Sequence, residues 1–99
     1  MLLEFRNQDL QRLYAELDFR LSGMGPDLTK QYRKKMALIA SAADERDLAN
    51  MRSLRFEKLR GRRAKQYSVR LDSHYRLILQ LRTDRSARVA VIIEVVDYH

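Results

Sequence analysis

The chain has 99 residues, with 20 Lys and Arg, 13 Asp and Glu and no Cys. This length suits one small domain over residues 1–99 with a single modest core. The lack of Cys excludes a disulfide scaffold and a thiolate metal site, and two His leave little for any other metal site. No apolar run approaches the roughly 20 residues of a membrane span, and no signal-peptide pattern is present. We therefore expect a soluble cytoplasmic protein without metal or cofactor.

The net charge of +7 lies entirely in the second half of the chain. Residues 1–50 hold eight basic and eight acidic side chains, whereas residues 51–99 hold twelve basic and five acidic ones. A basic half joined to a neutral half predicts a polyanionic partner on one face. The alternative is a solvated surface that only aids solubility.

The first half of the chain predicts a short strand followed by two helices. Leu2 to Phe5 alternate as in a strand, and Asn7 is a good N-cap for the next segment. Apolar residues then recur at helical spacing over 8–20 and again over 27–42, with a Gly- and Pro-containing break between them. The two segments predict a helical hairpin.

The second half of the chain predicts a short helix followed by strands. Asp44 can cap a helix that ends near Met51, and beyond residue 53 the apolar period changes from 3.6 to 2. The predicted strands are 67–71, 75–82 and 88–98, joined by a tight turn at Asp72–Ser73 and a polar turn over 83–87. Helices followed by strands indicate an α+β fold, in which the N-terminal strand and helical hairpin pack on a twisted antiparallel sheet.

Alternation along these strands predicts one cationic face on the sheet. Leu77, Leu79 and Leu81 would face the helices. The opposite face would then carry Arg70, His74, Arg76, Gln80 and Arg82. Segment 52–65 adds seven cations in fourteen residues, a density typical of a loop that contacts phosphates. An exposed, flexible charged turn would have the same composition.

The C-terminus places Asp97, Tyr98 and His99 in a row after an apolar strand. His is a general acid or base near neutral pH, Asp can orient it, and Tyr can stack on a base or transfer a proton. RNA cleavage needs a base, an acid and cationic charge, because the 2′-hydroxyl is the nucleophile. A frayed terminus with an ordinary His is the alternative.

Three stretches resemble the HigB-like, killer-protein branch of the RelE/ParE toxin superfamily: residues 59–71 (LRGRRAKQYSVRL), 74–77 (HYRL) and 94–99 (EVVDYH). These toxins typically read L-K-G-D-R-x-G-Q-Y-S-I-R-I-N-x-x-Y-R-I and end close to D-Y-H, and the resemblance spans the whole chain. It implies a RelE-like, microbial-ribonuclease-like fold. It also implies a toxin of a type II toxin–antitoxin system, which cleaves mRNA on the 70S ribosome and is neutralised, in an oligomer with it, by a helix-turn-helix antitoxin.

The resemblance also implies roles for individual residues. Glu57 stands where the family usually has a catalytic His, Arg60 replaces a Lys, and Arg62 replaces an Asp. The implied catalytic set is Arg70, Arg76, Asp97, Tyr98, His99 and, by position, Glu57. The implied RNA contacts are Lys58, Arg60, Arg62, Arg63, Lys65 and His74.

Two alternatives stay open at this point. A ParE-like toxin of the same fold would inhibit DNA gyrase, although that activity does not depend on the D-Y-H ending. A catalytically weak member of the fold would bind RNA or the ribosome without cutting, which the replacement of the family His by Glu57 favours.

Overall fold

The computed structural model describes residues 1–97. Five strands, β1 to β5, form one sheet: Leu2–Phe5, Glu57–Lys58, Tyr67–Arg70, Tyr75–Asp84 and Ala87–Asp97. Three helices, α1 to α3, span Gln8–Ala15, Pro26–Ser41 and Glu45–Asn50, and 3₁₀ turns span Arg52–Leu54 and Gly61–Arg63. The predicted α+β class is therefore confirmed. Within residues 1–97, no helix has the length and apolarity to cross a bilayer.

The strands lie in the order β1-β5-β4-β3-β2. Three neighbouring pairs are antiparallel, but β1 runs parallel to β5, with Leu3 beside Ala90 and Phe5 beside Ile92. The sheet is therefore mixed, where the sequence predicted antiparallel pairing. Strand β4 lies at its centre, so the residues at the start of β4 are flanked on both sides.

Strands β4 and β5 form a long hairpin closed by two residues, Arg85 and Ser86. Both have positive φ, 49° and 75°, as a type I′ turn requires. The predicted polar turn over 83–87 is therefore shorter than expected. A bulge interrupts the ladder near its middle, where Ile78 faces Glu94 and Leu79 faces Ile92.

The core lies between the helices and one face of the sheet. Leu77 and Leu79 are buried there, and Leu81 packs against them, as the alternation predicts. Tyr32 of α2 is fully buried, and its phenol donates a 2.7 Å hydrogen bond to the carbonyl oxygen of Leu10 in α1. Burial raises the pKa of Tyr32 above its ordinary value, so the phenol stays a donor.

The helix predicted over 8–20 is wrong beyond Ala15. Asn7 caps its start as predicted, but the chain turns extended at Glu16, and Leu17 is 76% exposed. Arg33 of α2 donates to the carbonyl oxygens of Leu13 and Glu16 at 2.9 and 3.0 Å. These bonds satisfy the carbonyls that a longer helix would have paired. The second helix agrees with its prediction to within one residue at each end.

We predict that Tyr32→Phe lowers the free energy of unfolding by about 1 kcal/mol, because a buried hydrogen bond is lost without a change in packing volume. Urea unfolding measures the difference. Tyr14→Phe is the control, since the Tyr14 ring is only half-buried and its hydroxyl makes no hydrogen bond within residues 1–97. Equal losses in the two variants would show that the Tyr32–Leu10 bond does not tie α1 to α2.

Candidate active site

Two arginines meet on the sheet face that points away from the helices. Arg70 of β3 and Arg76 of β4 are direct cross-strand partners. Like charges in this position repel each other, so the pair favours an anion between or above them. The structure thus brings together two residues that the sequence predicted for phosphate binding.

Arg76 is only 8% exposed, and its guanidinium is held by several acceptors. Its Nε donates to Ser68 Oγ at 2.8 Å, and its Nη2 donates to the carbonyl oxygen of Arg55 at 2.6 Å. Nη2 also lies 3.4 Å from Glu57 Oε2. A guanidinium fixed in this way keeps one orientation, which a phosphate-binding group requires.

Arg55 owes its place to an unusual backbone conformation. It ends the 3₁₀ turn Arg52–Leu54 with φ 43° and ψ 52°, a left-handed conformation that costs a non-Gly residue on the order of 1 kcal/mol. The conformation aims its carbonyl at Arg76 and leaves its side chain exposed. The sequence predicts Arg55 only as one of seven loop cations, because nothing local signals the left-handed residue.

A cleft of about 250 Å³ opens beside Arg76, and we call it the Arg76 cleft. Its lining is polar: Arg55, Arg70, Asp72, Ser73, His74 and Arg76. Asp72 Oδ1 accepts the backbone N–H groups of His74 and Tyr75 at 2.8 Å, which confirms the predicted turn at Asp72–Ser73. The exposed His74 shares a 2.7 Å hydrogen bond between its Nδ1 and Ser73 Oγ. The turn therefore holds an imidazole in a cleft lined by three arginines.

The predicted acid–base residues are divided between the described and undescribed parts of the chain. Glu57 is exposed, with its carboxylate against Arg76. Asp97 ends β5 in register with Tyr75, one position beyond the pair of Arg76 with Val96. Tyr98 and His99 lie outside the described residues.

Part of the basic loop borders a second pocket, of about 280 Å³, on the same face of the sheet. Leu59, Ile78 and Val96 give it an apolar floor, and Arg60 and Arg63 border it. Ser68 also lines this pocket, so it adjoins the Arg76 guanidinium.

The remaining loop cations differ in how they are held. Arg63 is tied down by hydrogen bonds to Gln66 at 2.8 Å and to Glu94 at 2.9 Å. Lys58, Arg62 and Lys65 are exposed. The loop is thus partly ordered by β2 and the second 3₁₀ turn rather than being a loose charged segment.

Sequence reasoning missed Ser68 as well as Arg55. Ser68 is 1% exposed and accepts from Arg76, and it lies two residues before Arg70 on β3, so a period of two could have placed it on this face. This face is also less open than predicted, since Ile78 and Arg76 are both buried on it.

This arrangement can bind and stabilise negative charge on a phosphate. Three guanidinium groups and an imidazole line one small polar cleft, and the Glu57 carboxylate lies against one of these guanidinium groups, that of Arg76. Such a set can supply charge stabilisation and proton transfer together. Within residues 1–97, no group of three or more His, Asp or Glu is placed to hold a metal ion.

Comparison with known proteins identifies the family. No curated protein matches the chain. Among solved structures, a YoeB/ParE toxin from Agrobacterium tumefaciens is similar in fold, with a TM-score of 0.58 and 16% identity over 100% of this chain and 99% of that one. The sequence profile of the HigB-like toxins, described as RelE-like toxins of the type II toxin–antitoxin system HigB, matches residues 3–99. The chain therefore belongs to the HigB-like family of RelE-like toxins.

Proposed function

We propose that this toxin is an endoribonuclease that cleaves mRNA on the ribosome through the RNA's own 2′-hydroxyl. The observation that carries the proposal is the fixed Arg76 guanidinium, which faces Arg70 and His74 across one polar cleft. The cleft suits a phosphodiester because the three arginines that line it, Arg55, Arg70 and Arg76, can share the charge that develops on the phosphate oxygens.

In the proposed reaction, a base takes the proton of the 2′-hydroxyl, whose oxygen then attacks the adjacent phosphorus. The bond from phosphorus to the 5′-oxygen breaks, and an acid protonates that leaving oxygen. The products are a 2′,3′-cyclic phosphate and a 5′-hydroxyl. We assign the phosphate to Arg70 and Arg76, and the proton transfers to His99 with Asp97 as its partner. Tyr98 stacks on a base or shares in proton transfer.

Glu57 is a second candidate base. Its carboxylate lies 3.4 Å from Arg76 Nη2, so a phosphate bound by Arg76 would come close to it. A carboxylate can accept the 2′-hydroxyl proton, but it cannot supply the positive charge of the imidazolium usual at this position in the family. We therefore assign the acid role to His99 and not to Glu57.

The loop cations would hold the RNA around the scissile bond. Lys58, Arg62 and Lys65 are exposed, and Arg60 borders the pocket with the apolar floor. We assign these residues, with Arg63 and His74, to mRNA and ribosomal RNA contacts. The partner that neutralises the toxin is proposed to be a helix-turn-helix antitoxin, and the site of action is the cytoplasm, where ribosomes translate.

We predict that Arg76→Gln abolishes growth arrest in a bacterial host and lowers the rate of mRNA cleavage by at least about 10²-fold, because one preorganised cation is lost. Arg82→Gln is the control. Arg82 lies on the same strand and face but pairs with Glu4 at 2.6 Å, away from the cleft. Arg76→Lys should not restore full activity, since Lys cannot make the three contacts together. Full toxicity of a folded Arg76→Gln protein would contradict the assignment of Arg76.

We predict that Glu57→Gln lowers the cleavage rate by about 10²-fold at neutral pH if the carboxylate is the base, since the amide cannot accept a proton. The variant keeps the side chain's shape and an oxygen for Arg76, so its thermal midpoint should change little. The measurement is single-turnover cleavage of ribosome-bound mRNA across pH 5–9. Unchanged rates at every pH would leave Glu57 as a partner of Arg76 only and would assign the base to the C-terminus.

A further inference from the structure

A larger cleft of about 650 Å³ lies beside the Arg76 cleft, between α2 and the 3₁₀ turn Arg52–Leu54. We call it the helix-side cleft. Four cations line it: Lys35, Arg52, Arg55 and Arg70. Only two carboxylates, Asp27 and Asp72, line it as well. The cleft therefore carries an excess of positive charge.

The two clefts share their dividing wall. Arg55, Arg70 and Asp72 line both of them. Asp72 is occupied by the turn, since its Oδ1 accepts two backbone N–H groups and its carbonyl accepts from Arg70 Nε at 3.1 Å. The side chains of Arg55 and Arg70 can thus contact ligand groups on either side.

The cations of the helix-side cleft differ from several arginines of the described chain in having no carboxylate partner. Within residues 1–97, six arginines form ion pairs with carboxylates: Arg12, Arg46, Arg63, Arg76, Arg82 and Arg88. In the same part of the chain, none of the four cleft cations forms an ion pair. Their charge is left for an external anion.

The burial of Lys35 makes the excess positive charge of the helix-side cleft unfavourable for the stability of the free protein. It is only 6% exposed, and its Nζ donates to the carbonyl oxygen of Ser53 at 2.8 Å. Burial and the nearby charges of Lys34 and Arg70 lower the pKa of Lys35. An anion in the cleft would offset this repulsion, and the Lys35–Ser53 bond already holds the turn that carries Arg52.

We infer that the helix-side cleft binds the phosphate backbone of single-stranded RNA next to the scissile phosphate, so that one strand crosses the wall formed by Arg55 and Arg70. This inference rests on the proposed nuclease function, whose scissile phosphate it places in the Arg76 cleft. It adds a second binding cleft, with Arg52 as the residue that contacts the neighbouring phosphate.

The lining favours RNA over a peptide that binds through apolar side chains. Leu71 is the one apolar residue among those that line the cleft within the described chain, so the cleft offers little to the apolar face of an amphipathic helix. A phosphate backbone needs charge and hydrogen-bond donors and no apolar floor. The helix-side cleft adjoins the Arg76 cleft, so an RNA strand whose scissile phosphate lies in the Arg76 cleft would continue into it.

We predict that Arg52→Gln weakens binding of a 2′-O-methyl hexanucleotide roughly tenfold at low salt, and leaves binding of a 2′-O-methyl dinucleotide unchanged. The slope of log Kd against log salt should fall by about 0.7 for the hexanucleotide alone. Fluorescence anisotropy with the full chain measures both. Arg52 is exposed and its side chain makes no hydrogen bond within residues 1–97, so folding should be unaffected.

Lys30→Gln is the matched control, since it removes one exposed charge from α2 outside both clefts. Equal effects of Arg52→Gln on both oligonucleotides, or no effect on either, would overturn the inference. Weaker antitoxin binding with unchanged RNA binding would overturn it too and would assign the cleft to the antitoxin. The 2′-O-methyl RNA cannot be cut, so a protein that binds as predicted without cleaving mRNA contradicts the nuclease proposal alone.

Discussion

Burial of the Arg76 guanidinium joins three separate parts of the chain at one point. Ser68 comes from β3, the Arg55 carbonyl from the turn before β2, and the Glu57 carboxylate from β2 itself. A buried cation is tolerated only when its donors are satisfied, so these partners must assemble around it as the sheet forms. The same contacts that satisfy Arg76 also shape the cleft beside it. Stability and the proposed chemistry therefore depend on one set of bonds.

Ion pairs neutralise the positive charge in some parts of the protein and leave it concentrated near the end of β3. Near the N-terminal edge of the sheet, Arg82 is neutralised by Glu4, and Arg88 pairs with Glu45. Around the end of β3, Arg70 and Arg55 have no carboxylate partner within residues 1–97. An anionic strand approaching the protein would be drawn to that end, because surface pairs contribute little field at a distance.

The sequence predicted the class of fold, α2, the Asp72 turn and the position of Arg70 and Arg76 on one face, because each follows from local spacing. It did not predict the end of α1 at Ala15, because Leu17 continues the helical spacing in the sequence. The carbonyl oxygens at this end of α1 accept hydrogen bonds from Arg33, which lies in α2. It also did not predict the parallel β1, whose direction depends on long-range packing. Arg55 and Lys35 were missed as site residues for the same reason: their roles arise from a backbone conformation and a burial that form only in the folded chain.

The most direct test of the proposed nuclease function is cleavage of mRNA on purified ribosomes by the toxin, with the ends of the products mapped. We predict ribosome-dependent cleavage that leaves a 2′,3′-cyclic phosphate and a 5′-hydroxyl. A 2′-deoxy nucleotide at the cleaved position should block it, because the nucleophile is gone. Cleavage at the 2′-deoxy nucleotide would contradict this mechanism, as would intact mRNA together with inhibition of DNA supercoiling by gyrase.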